Sequence, residues 1–486
     1  MTALGPKLRA VFATTSLTLV ALGVLFLVAP SAATATVTCA VTVSSENLMN
    51  NAVQSAINAF PGQNICLGAG TFPEQLTINV TGTSLIGAGS TKTFIAPTAL
   101  SINTHDIDSA SSVGNAASLT PAAAIILVTN TSTNLPTTGV SIRGLTVNGT
   151  GGSSTFTGCG TNYFGVAFQN ASGTLANSAV VGVALPAPDF GCQDGLAVYV
   201  YNGHFYSGLS PSTAVTVTGT KVVGYDKNGI TCDDPGVACT LTGNTVTGAG
   251  VVNNNAQNGI QVAYGATAHV AFNHVNANGY NGTTATNSWY GNGYAASGIL
   301  LFDSGNGTTV TSNSLTLDQL GIAYFDDGSF DGGSANTTIT FNTVKESSAY
   351  GIVANGAAGG RDNVNISGNT VSNKVSLNPT VFGAPGILVD TGNFLVATNH
   401  VFGASASGTN GPSQEVCGPN ANTGTGTPFL SCSTYSNETT AAIQAVSESS
   451  TNPTSVTLKG NTYAMDVAHI ATRSVLGGVV NLTEIS

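Results

Sequence analysis

A glycine followed by apolar and β-branched residues recurs through the middle of the chain, and this feature most restricts the fold. Successive copies begin 23 to 39 residues apart. A repeat of this length with unequal connections is typical of stacked structural units, because one unit cannot bury its apolar face alone. The copies are GVAFQN at Gly165, GLAVYV at Gly195, GITCDD at Gly229, GIQVAY at Gly259, GILLFD at Gly298, GIAYFD at Gly321, GIVANG at Gly351 and GILVDT at Gly386.

An asparagine followed by a short alternating run recurs between these copies. The runs are rich in β-branched residues, Gly and Asn interrupt them, and no helix-period segment separates them, which excludes helical and leucine-rich solenoids. Stacked coils place equivalent residues about 4.8 Å apart, so the asparagines should form a hydrogen-bonded ladder. Its members are Asn244, Asn273, Asn313, Asn342, Asn369, Asn399 and Asn461.

Together these repeats resemble the right-handed parallel β-helix repeats of the pectin-lyase-like superfamily. The segment 47–78 is similar to the usual start of such proteins, with a capping helix, the Pro61–Gly62 turn and a first strand. The resemblance implies an all-β, right-handed parallel β-helix with an N-terminal capping helix. It implies one domain over 36–486, with the cap and first coils in 36–100 and a C-terminal coil in 451–486. The segment 403–450 is rich in Gly, Ser, Thr and Asn and contains Cys417 and Cys432, so it is predicted to be an extended disulfide-pinned loop.

The N-terminus and the cysteines predict an exported protein. Lys7 and Arg9 precede an apolar run and a small-residue cleavage site, so residues 1–35 are predicted to be a signal peptide, with an uncleaved anchor as the alternative. Eight cysteines suit an oxidising compartment. They allow 105 connectivities, of which we favour the nearest-neighbour set. Its pairs are Cys39–Cys66, Cys159–Cys192, Cys232–Cys239 and Cys417–Cys432.

The charge balance restricts the partner. Removing Lys7 and Arg9 leaves nine basic residues against 22 acidic ones, a net charge of 9 − 22 = −13. This balance predicts no nucleic-acid partner and no membrane contact after signal cleavage. We expect the partner to be an extracellular polysaccharide or a cell-surface glycan. We also expect the protein to be a monomer. A neutral glycan fits better than a polyuronate, which would be repelled. With few charged groups, little change of stability with pH is also expected.

Acidic and aromatic residues share one position in consecutive repeats. Counting five residues from each glycine gives Asp234, Tyr264, Asp303 and Asp326. Two coil spacings, about 9–10 Å, approach the separation of an inverting carboxylate pair, so the three aspartates are predicted as catalytic acid and base candidates. Tyr264, Trp289 and Arg361 are predicted to contact the substrate.

Two other interpretations of the acidic column remain open. Aspartate at a strand end often serves as a turn residue that bonds nearby backbone. Clustered carboxylates also suit calcium, which would be held by Asp326, Asp327 and Asp331; no other cofactor is predicted. Only Asp233–Asp234 resembles a polygalacturonase motif, and the other motifs of that family are absent. The sequence therefore predicts a polysaccharide hydrolase or lyase, or alternatively a non-catalytic cell-surface scaffold or adhesin.

Overall fold

The computed structural model describes the chain from Thr38 to Ile485 with interruptions, and residues 39–486 form one compact unit. The described ranges are 38–45, 51–107, 119–130, 135–152, 158–187, 189–192, 194–202, 212–280, 295–326, 328, 335–348, 350–357, 361–372, 386–402, 414–419, 430–435, 441–447, 451, 453–464, 468–474 and 479–485. The predicted signal peptide, residues 1–35, lies outside them. Within these ranges, no helix has the length and apolar character needed to cross a bilayer.

Three long sheets carry almost all of the regular structure. Sheet A contains β1 Val41–Val43, β2 Asn64–Leu67, β5 Ser84–Gly87, β9 Thr137–Arg143, β12 Ala171–Ala176, β15 Thr213–Thr218, β18 Val237–Thr242, β21 Thr267–Ala271, β24 Thr309–Thr311, β27 Asn336–Thr340, β30 Asn363–Ser367, β33 Gly392–Ala397, β38 Thr454–Lys459 and β41 Val480–Ile485. Sheet B contains β3 Gly70–Phe72, β6 Thr93–Ile95, β10 Thr146–Asn148, β13 Ala179–Val181, β16 Lys221–Val223, β19 Thr245–Val252, β22 His274–Tyr280, β25 Ser314–Thr316, β28 Thr343–Lys345, β31 Thr370–Ser372, β34 His400–Phe402 and β39 Thr462–Ala464. Sheet C contains β4 Leu76–Ile78, β8 Leu119–Thr129, β11 Asn162–Gln169, β14 Leu196–Tyr201, β17 Asn228–Asp233, β20 Asn258–Ala263, β23 Ser297–Phe302, β26 Leu320–Phe325, β29 Tyr350–Asn355, β32 Ile387–Asp390, β37 Ala441–Ser447 and β40 Ala468–Ser474, with β7 Thr104–Ile107 antiparallel to β8.

The chain passes through the sheets in the order C, A, B, and each pass makes one coil. Strands of successive coils pair in parallel, which confirms the predicted right-handed parallel β-helix. The repeat glycines from Gly229 to Gly386 are in register, since the residues that flank them pair directly. Gly195 is the exception. Leu196 pairs with Asn228, so Gly195 lies two residues before this column and Ala197 takes the glycine position.

One apolar column shows how the repeat fills the core. The isoleucine that follows each repeat glycine from Gly229 to Gly386 pairs with its equivalent in the next coil, and Ile443, which follows Ala442, continues this buried column. Such stacking lets each coil cover the apolar face of its neighbour, which a single coil cannot do alone. The column contains Ile230, Ile260, Ile299, Ile322, Ile352, Ile387 and Ile443.

The predicted asparagine ladder is present at the corner between sheets A and B. Each amide Nδ2 donates to Oδ1 of the next asparagine, from Asn244 to Asn461, over distances of 2.9 to 3.1 Å. Each Oδ1 also accepts the backbone N–H of the preceding ladder residue at 2.9 Å, for example Asn273 to Asn313. The ladder therefore provides hydrogen-bond acceptors for backbone N–H groups that lie at the corner, outside the strands of either sheet.

The predicted capping helix, α1, spans Ala52–Ala59 and buries Val53, Ala56 and Ile57 against the first coil. Its first N–H groups have no partner within the helix and carry partial positive charge. The buried Glu74 carboxylate accepts the N–H groups of Val53 and Gln54 at 3.0 to 3.1 Å. This tertiary cap fixes the N-terminus of the helix to the segment between β3 and β4, where Glu74 lies.

Three of the four predicted disulfides are present: Cys39–Cys66, Cys159–Cys192 and Cys232–Cys239. Such bonds form in oxidising compartments, which fits a periplasmic or extracellular location. For the fourth pair, the backbones of Cys417 and Cys432 lie opposite each other in the antiparallel hairpin of β35 Gln414–Pro419 and β36 Leu430–Tyr435. The predicted loop 403–450 is too long, because β37 lies inside it and belongs to sheet C.

Candidate functional site

The acidic column forms at the corner where sheet C ends and sheet A begins. Asp233, Ala263, Phe302 and Phe325 pair in sequence across four coils, so the residues that follow them are in register. Backbone bonds continue this pairing, since Gly265 N–H donates to Asp303 O at 2.7 Å. The predicted alignment of Asp234, Tyr264, Asp303 and Asp326 therefore holds.

Three members of this column occupy the left-handed backbone region. The φ angles are 84° for Asp234, 52° for Tyr264 and 46° for Asp303. Asparagine and aspartate tolerate this region better than other non-glycine residues, so it is a natural position for them at a turn. The conformation by itself accounts for aspartate at two of the three positions.

The carboxylates of the column hydrogen-bond to nearby groups of the chain. Asp234 Oδ2 accepts the N–H of Asn202 in the preceding coil at 3.0 Å. Asp326 accepts the Gly328 N–H at 2.6 Å and the Tyr324 hydroxyl at 3.1 Å. Asp234, Asp303 and Asp326 are only 3 to 5% exposed. Buried carboxylates that accept backbone N–H groups stabilise turns and offer little surface to a substrate.

The Cys232–Cys239 loop closes the same corner. The disulfide joins β17 to β18. Beside it, Asn202 Nδ2 donates to the Pro235 carbonyl at 2.9 Å, and the Thr213 hydroxyl donates to Asn202 Oδ1 at 2.9 Å. Asp233 and Asp234 are buried among these groups. The geometry is that of a clasp between two coils.

The other predicted site residues do not gather around one cavity. The half-buried Tyr264 ring packs edge-on against Phe302, with centroids 5.4 Å apart. Arg361 is exposed two residues before β30. Trp289, Asp327 and Asp331 lie outside the described residues, so the calcium hypothesis can be followed only through Asp326. Among the residues that the structure does describe, no three His, Cys, Asp or Glu side chains cluster as metal ligands would.

The outer face of sheet C is covered. Phe164, Tyr199 and Tyr201 pack against one another with centroids 4.3 to 6.2 Å apart and are nearly fully buried. Four coils on, outward residues of the same sheet, including Ala323, Val353 and Leu388, form a second buried cluster. These aromatic and aliphatic groups belong to the core of the protein.

The outer face of sheet A is polar and uncharged over a long distance. Registered strands place threonine, serine or asparagine at equivalent outward positions in most coils. The main outward column runs Thr174, Thr216, Thr240, His269, Thr309, Thr338, Asn365, Leu395 and Thr457. This face was not predicted from the sequence, although Thr-x-Thr pairs occur at 216–218, 240–242, 309–311 and 338–340.

A shallow groove of about 430 Å³ lies on this face across β27, β30, β33 and β38. Its outward lining residues are Asn336, Thr338, Asn363, Asn365, Asn393, Leu395, Ser455 and Thr457. The Asn365 side chain is half-buried here, and its Oδ1 has no hydrogen-bond partner in the described structure. The groove thus combines amide and hydroxyl groups with one aliphatic side chain and no charge.

Two buried carboxyls lie away from both regions. Burial raises the pKa of Asp318 to about 7, although Oδ1 accepts the Asn278 N–H at 2.9 Å and its amide at 2.8 Å. Burial likewise raises the pKa of Asp226 to about 7, and lowers the pKa of the neighbouring Lys227 to about 8. These groups predict a change of stability with pH, which the small number of charged residues alone did not suggest.

Comparison with known proteins gives a likeness only among solved structures. No family model and no curated protein sequence matches the chain. The A-module of mannuronan C-5 epimerase AlgE6 from Azotobacter vinelandii is 14% identical, with a TM-score of 0.45 over 90% of this chain and 94% of that chain. The Dettilon tailspike protein is 13% identical, with a TM-score of 0.42 over 89% and 66%. The catalytic domain of a GH87 α-1,3-glucanase is 10% identical, with a TM-score of 0.36 over 90% and 68%.

Proposed function

We propose that this protein is a secreted parallel β-helix that binds an uncharged extracellular polysaccharide along the outer face of sheet A. The observation that carries the proposal is the run of outward Thr, Ser and Asn side chains, which is free of charge over the groove. Hydroxyl and amide groups can both donate to and accept from sugar hydroxyls. The formal net charge of −11 would repel a polyuronate.

The dimensions of the groove suit a chain of several sugars. Four neighbouring strands about 4.8 Å apart give a span of about 14 Å between the outer two. Leu395 is 40% exposed and offers the apolar contact that a sugar ring face needs, beside the hydroxyl and amide groups of Thr338, Asn393 and Thr457. A carbohydrate site typically combines such apolar surface with a few convergent polar groups.

Glycan hydrolysis by Asp234, Asp303 and Asp326 is the second candidate. The register favours it, because Asp303 and Asp326 lie in adjacent coils and Asp234 lies two coils from Asp303. Calcium at Asp326 would belong to the same hypothesis. Against it stand the burial of all three side chains and the backbone donors held by Asp234 and Asp326. Binding without cleavage, by a cell-surface scaffold, is therefore the preferred function.

Affinity electrophoresis through gels with neutral or uronic polysaccharides tests the binding proposal. We expect retardation in at least one neutral gel and none in polyuronate. Asn365→Asp and Asn393→Asp place charge in the groove with little change of volume and should reduce retardation. Asn64→Asp, on the same sheet in the second strand, is the matched control. Equal retardation of all three variants, or no retardation in any neutral gel, refutes the proposal.

A cleavage assay on the same panel decides between the two candidates. Released reducing ends are measured with and without calcium, in wild type and in Asp303→Asn and Asp326→Asn. New reducing ends that both variants lose would establish hydrolysis at the acidic column. Retardation without any product supports the non-catalytic function.

A further inference from the structure

The corner between sheets A and B carries two phenylalanines at a position that suits glycine. The residue before each ladder asparagine has a left-handed backbone, with φ between 52° and 66° from Gly243 to Gly460. These residues are Gly243, Phe272, Ser312, Phe341, Gly368, Thr398 and Gly460. A bulky side chain in this region is strained, and such strain is retained mainly where a function requires it.

Both aromatic rings face solvent. Phe272 is 63% exposed and Phe341 is 67% exposed, the largest values among aromatic residues of the described chain. Ring carbons of Phe341 lie against the backbone of Gly368, where an added Cβ would be 2.6 Å from the ring. The glycine in the next coil therefore leaves room for this ring to extend along the stack. Folding gains little from either ring, because most of its apolar surface remains in water.

The two rings are separated by two coils. Ladder bonds run from Asn273 to Asn313 and from Asn313 to Asn342, so Ser312 occupies the position between Phe272 and Phe341. Two strand spacings give about 10 Å between the phenylalanine backbones. The row presents a ring, a hydroxyl and a second ring along the axis of the solenoid.

The surroundings of this row are uncharged and continuous with the groove. On the sheet A side the adjoining residues are Ala271, Thr311 and Thr340, and on the sheet B side they are His274, Ser314 and Thr343. None of these six side chains is a carboxylate, an amine or a guanidinium. Thr338, which lines the groove, lies on the same strand as Thr340 and precedes Phe341 by three residues.

We propose that Phe272 and Phe341 form a stacking platform for alternate sugars of an extended, neutral, β-1,4-linked hexopyranose chain. In such a chain every second sugar presents the same ring face, and its two-sugar repeat is close to the rise of two coils. The axial C–H groups of these sugars pack on the exposed ring faces, while the sugar between them meets Ser312. The platform rests on the proposed binding of polysaccharide and specifies the linkage, the orientation along the solenoid and the shortest ligand that engages both rings.

The test measures binding of the full chain to microcrystalline cellulose and to chitin, and of soluble β-1,4 oligosaccharides by calorimetry. Phe272→Ser and Phe341→Ser use the residue already present at position 312. Each should weaken binding by about three- to tenfold, and the double variant by more. Phe341→Trp should retain binding. Val251→Ser removes an exposed apolar group away from the row and is the control.

Ligand length and stability separate stacking from a structural effect. Affinity should rise sharply from the disaccharide to the trisaccharide in wild type, and not in either serine variant. The serine variants should melt at or above the wild-type temperature, because they remove a strained aromatic residue. Double-variant binding equal to wild type, with the groove variants impaired, would overturn the platform and leave the proposed function intact. Loss of self-association in the double variant, with glycan binding unchanged, would assign the rings to a contact between copies. Absence of any polysaccharide binding by wild type would refute both proposals.

Discussion

The asparagine ladder allows a stability prediction with a magnitude taken from the structure. Asn313 lies in its interior. Its Oδ1 accepts the N–H and Nδ2 of Asn273 at 2.9 Å, and its Nδ2 donates to Val270 O at 2.9 Å and to Asn342 Oδ1 at 3.0 Å. Asn313→Ala removes these four bonds and leaves the buried Asn273 N–H without an acceptor. At about 1 kcal/mol per bond, with a further penalty for the orphaned donor, we expect the free energy of unfolding to fall by about 4–6 kcal/mol.

Asn461→Ala at the end of the ladder is the matched control. Asn461 makes three equivalent bonds, but its side chain is half-buried, so water can replace part of what is lost. We expect a cost of about 1–2 kcal/mol. Urea denaturation of both variants measures the difference, and hydrogen exchange should show the interior defect spreading through β21, β24 and β27. Equal costs for the two variants, or less than 1 kcal/mol for Asn313→Ala, would show that the ladder does not hold the corner as described.

Three further predictions concern the buried carboxyl, the glycine column and the clasp. The folded state keeps the Asp318 proton up to about pH 7, whereas the unfolded state releases it near pH 4, so stability should fall as the pH rises between these values. With Asp318→Asn, the loss of unfolding free energy between pH 4.5 and pH 8 should be smaller by up to about 4 kcal/mol, as measured by urea denaturation at both pH values. An unchanged loss would exclude Asp318 as its source. Gly229→Ala should lower the free energy of unfolding by about 3 kcal/mol or more, because the added Cβ would lie 2.5 Å from Gly259 O and from Val246 Cγ1. A melting temperature within about a degree of the wild-type value would contradict this. Replacing Cys232 and Cys239 together with serine should cost about 2 kcal/mol and leave polysaccharide binding unchanged, so a loss of binding by a folded variant would place the site at the clasp.

The repeat patterns predicted the architecture because stacked coils reuse one local solution. The ladder asparagines and the isoleucines that follow the repeat glycines recur with a period that survives loops of unequal length, so sequence alone places them in register. Gly195 was misplaced because a Gly-apolar motif can occur two residues away from its column, and only strand pairing shows the offset. The loop predicted over 403–450 hid β37, because Ala441–Ser447 lacks the glycine that marks the strands of sheet C from Gly229 to Gly386.

For the candidate sites too, the sequence predicted the alignment of residues between coils but not their surroundings. The register of Asp234, Asp303 and Asp326 followed from counting, but their burial and their backbone partners did not. The exposed face of sheet A was not predicted, because threonine is common in β-strands whether or not it contacts a ligand. Phe272 and Phe341 precede ladder asparagines in the sequence. Their exposure was not predicted, because an apolar residue within a repeat usually indicates a position in the core.

The sequence by itself determined the coil and the ladder and favoured the nearest-neighbour disulfide pairs, because these depend on local pattern and on the chain returning to the same place about every thirty residues. Only the tertiary structure decided which side of each coil meets solvent. It placed three aspartates inside turns, gathered the uncharged groups of four strands into one groove, and left two phenylalanine rings in water two coils apart. The physical reason is that the periodicity fixes which residues align between coils, whereas exposure depends on how corners, covering loops and neighbouring coils pack around each column.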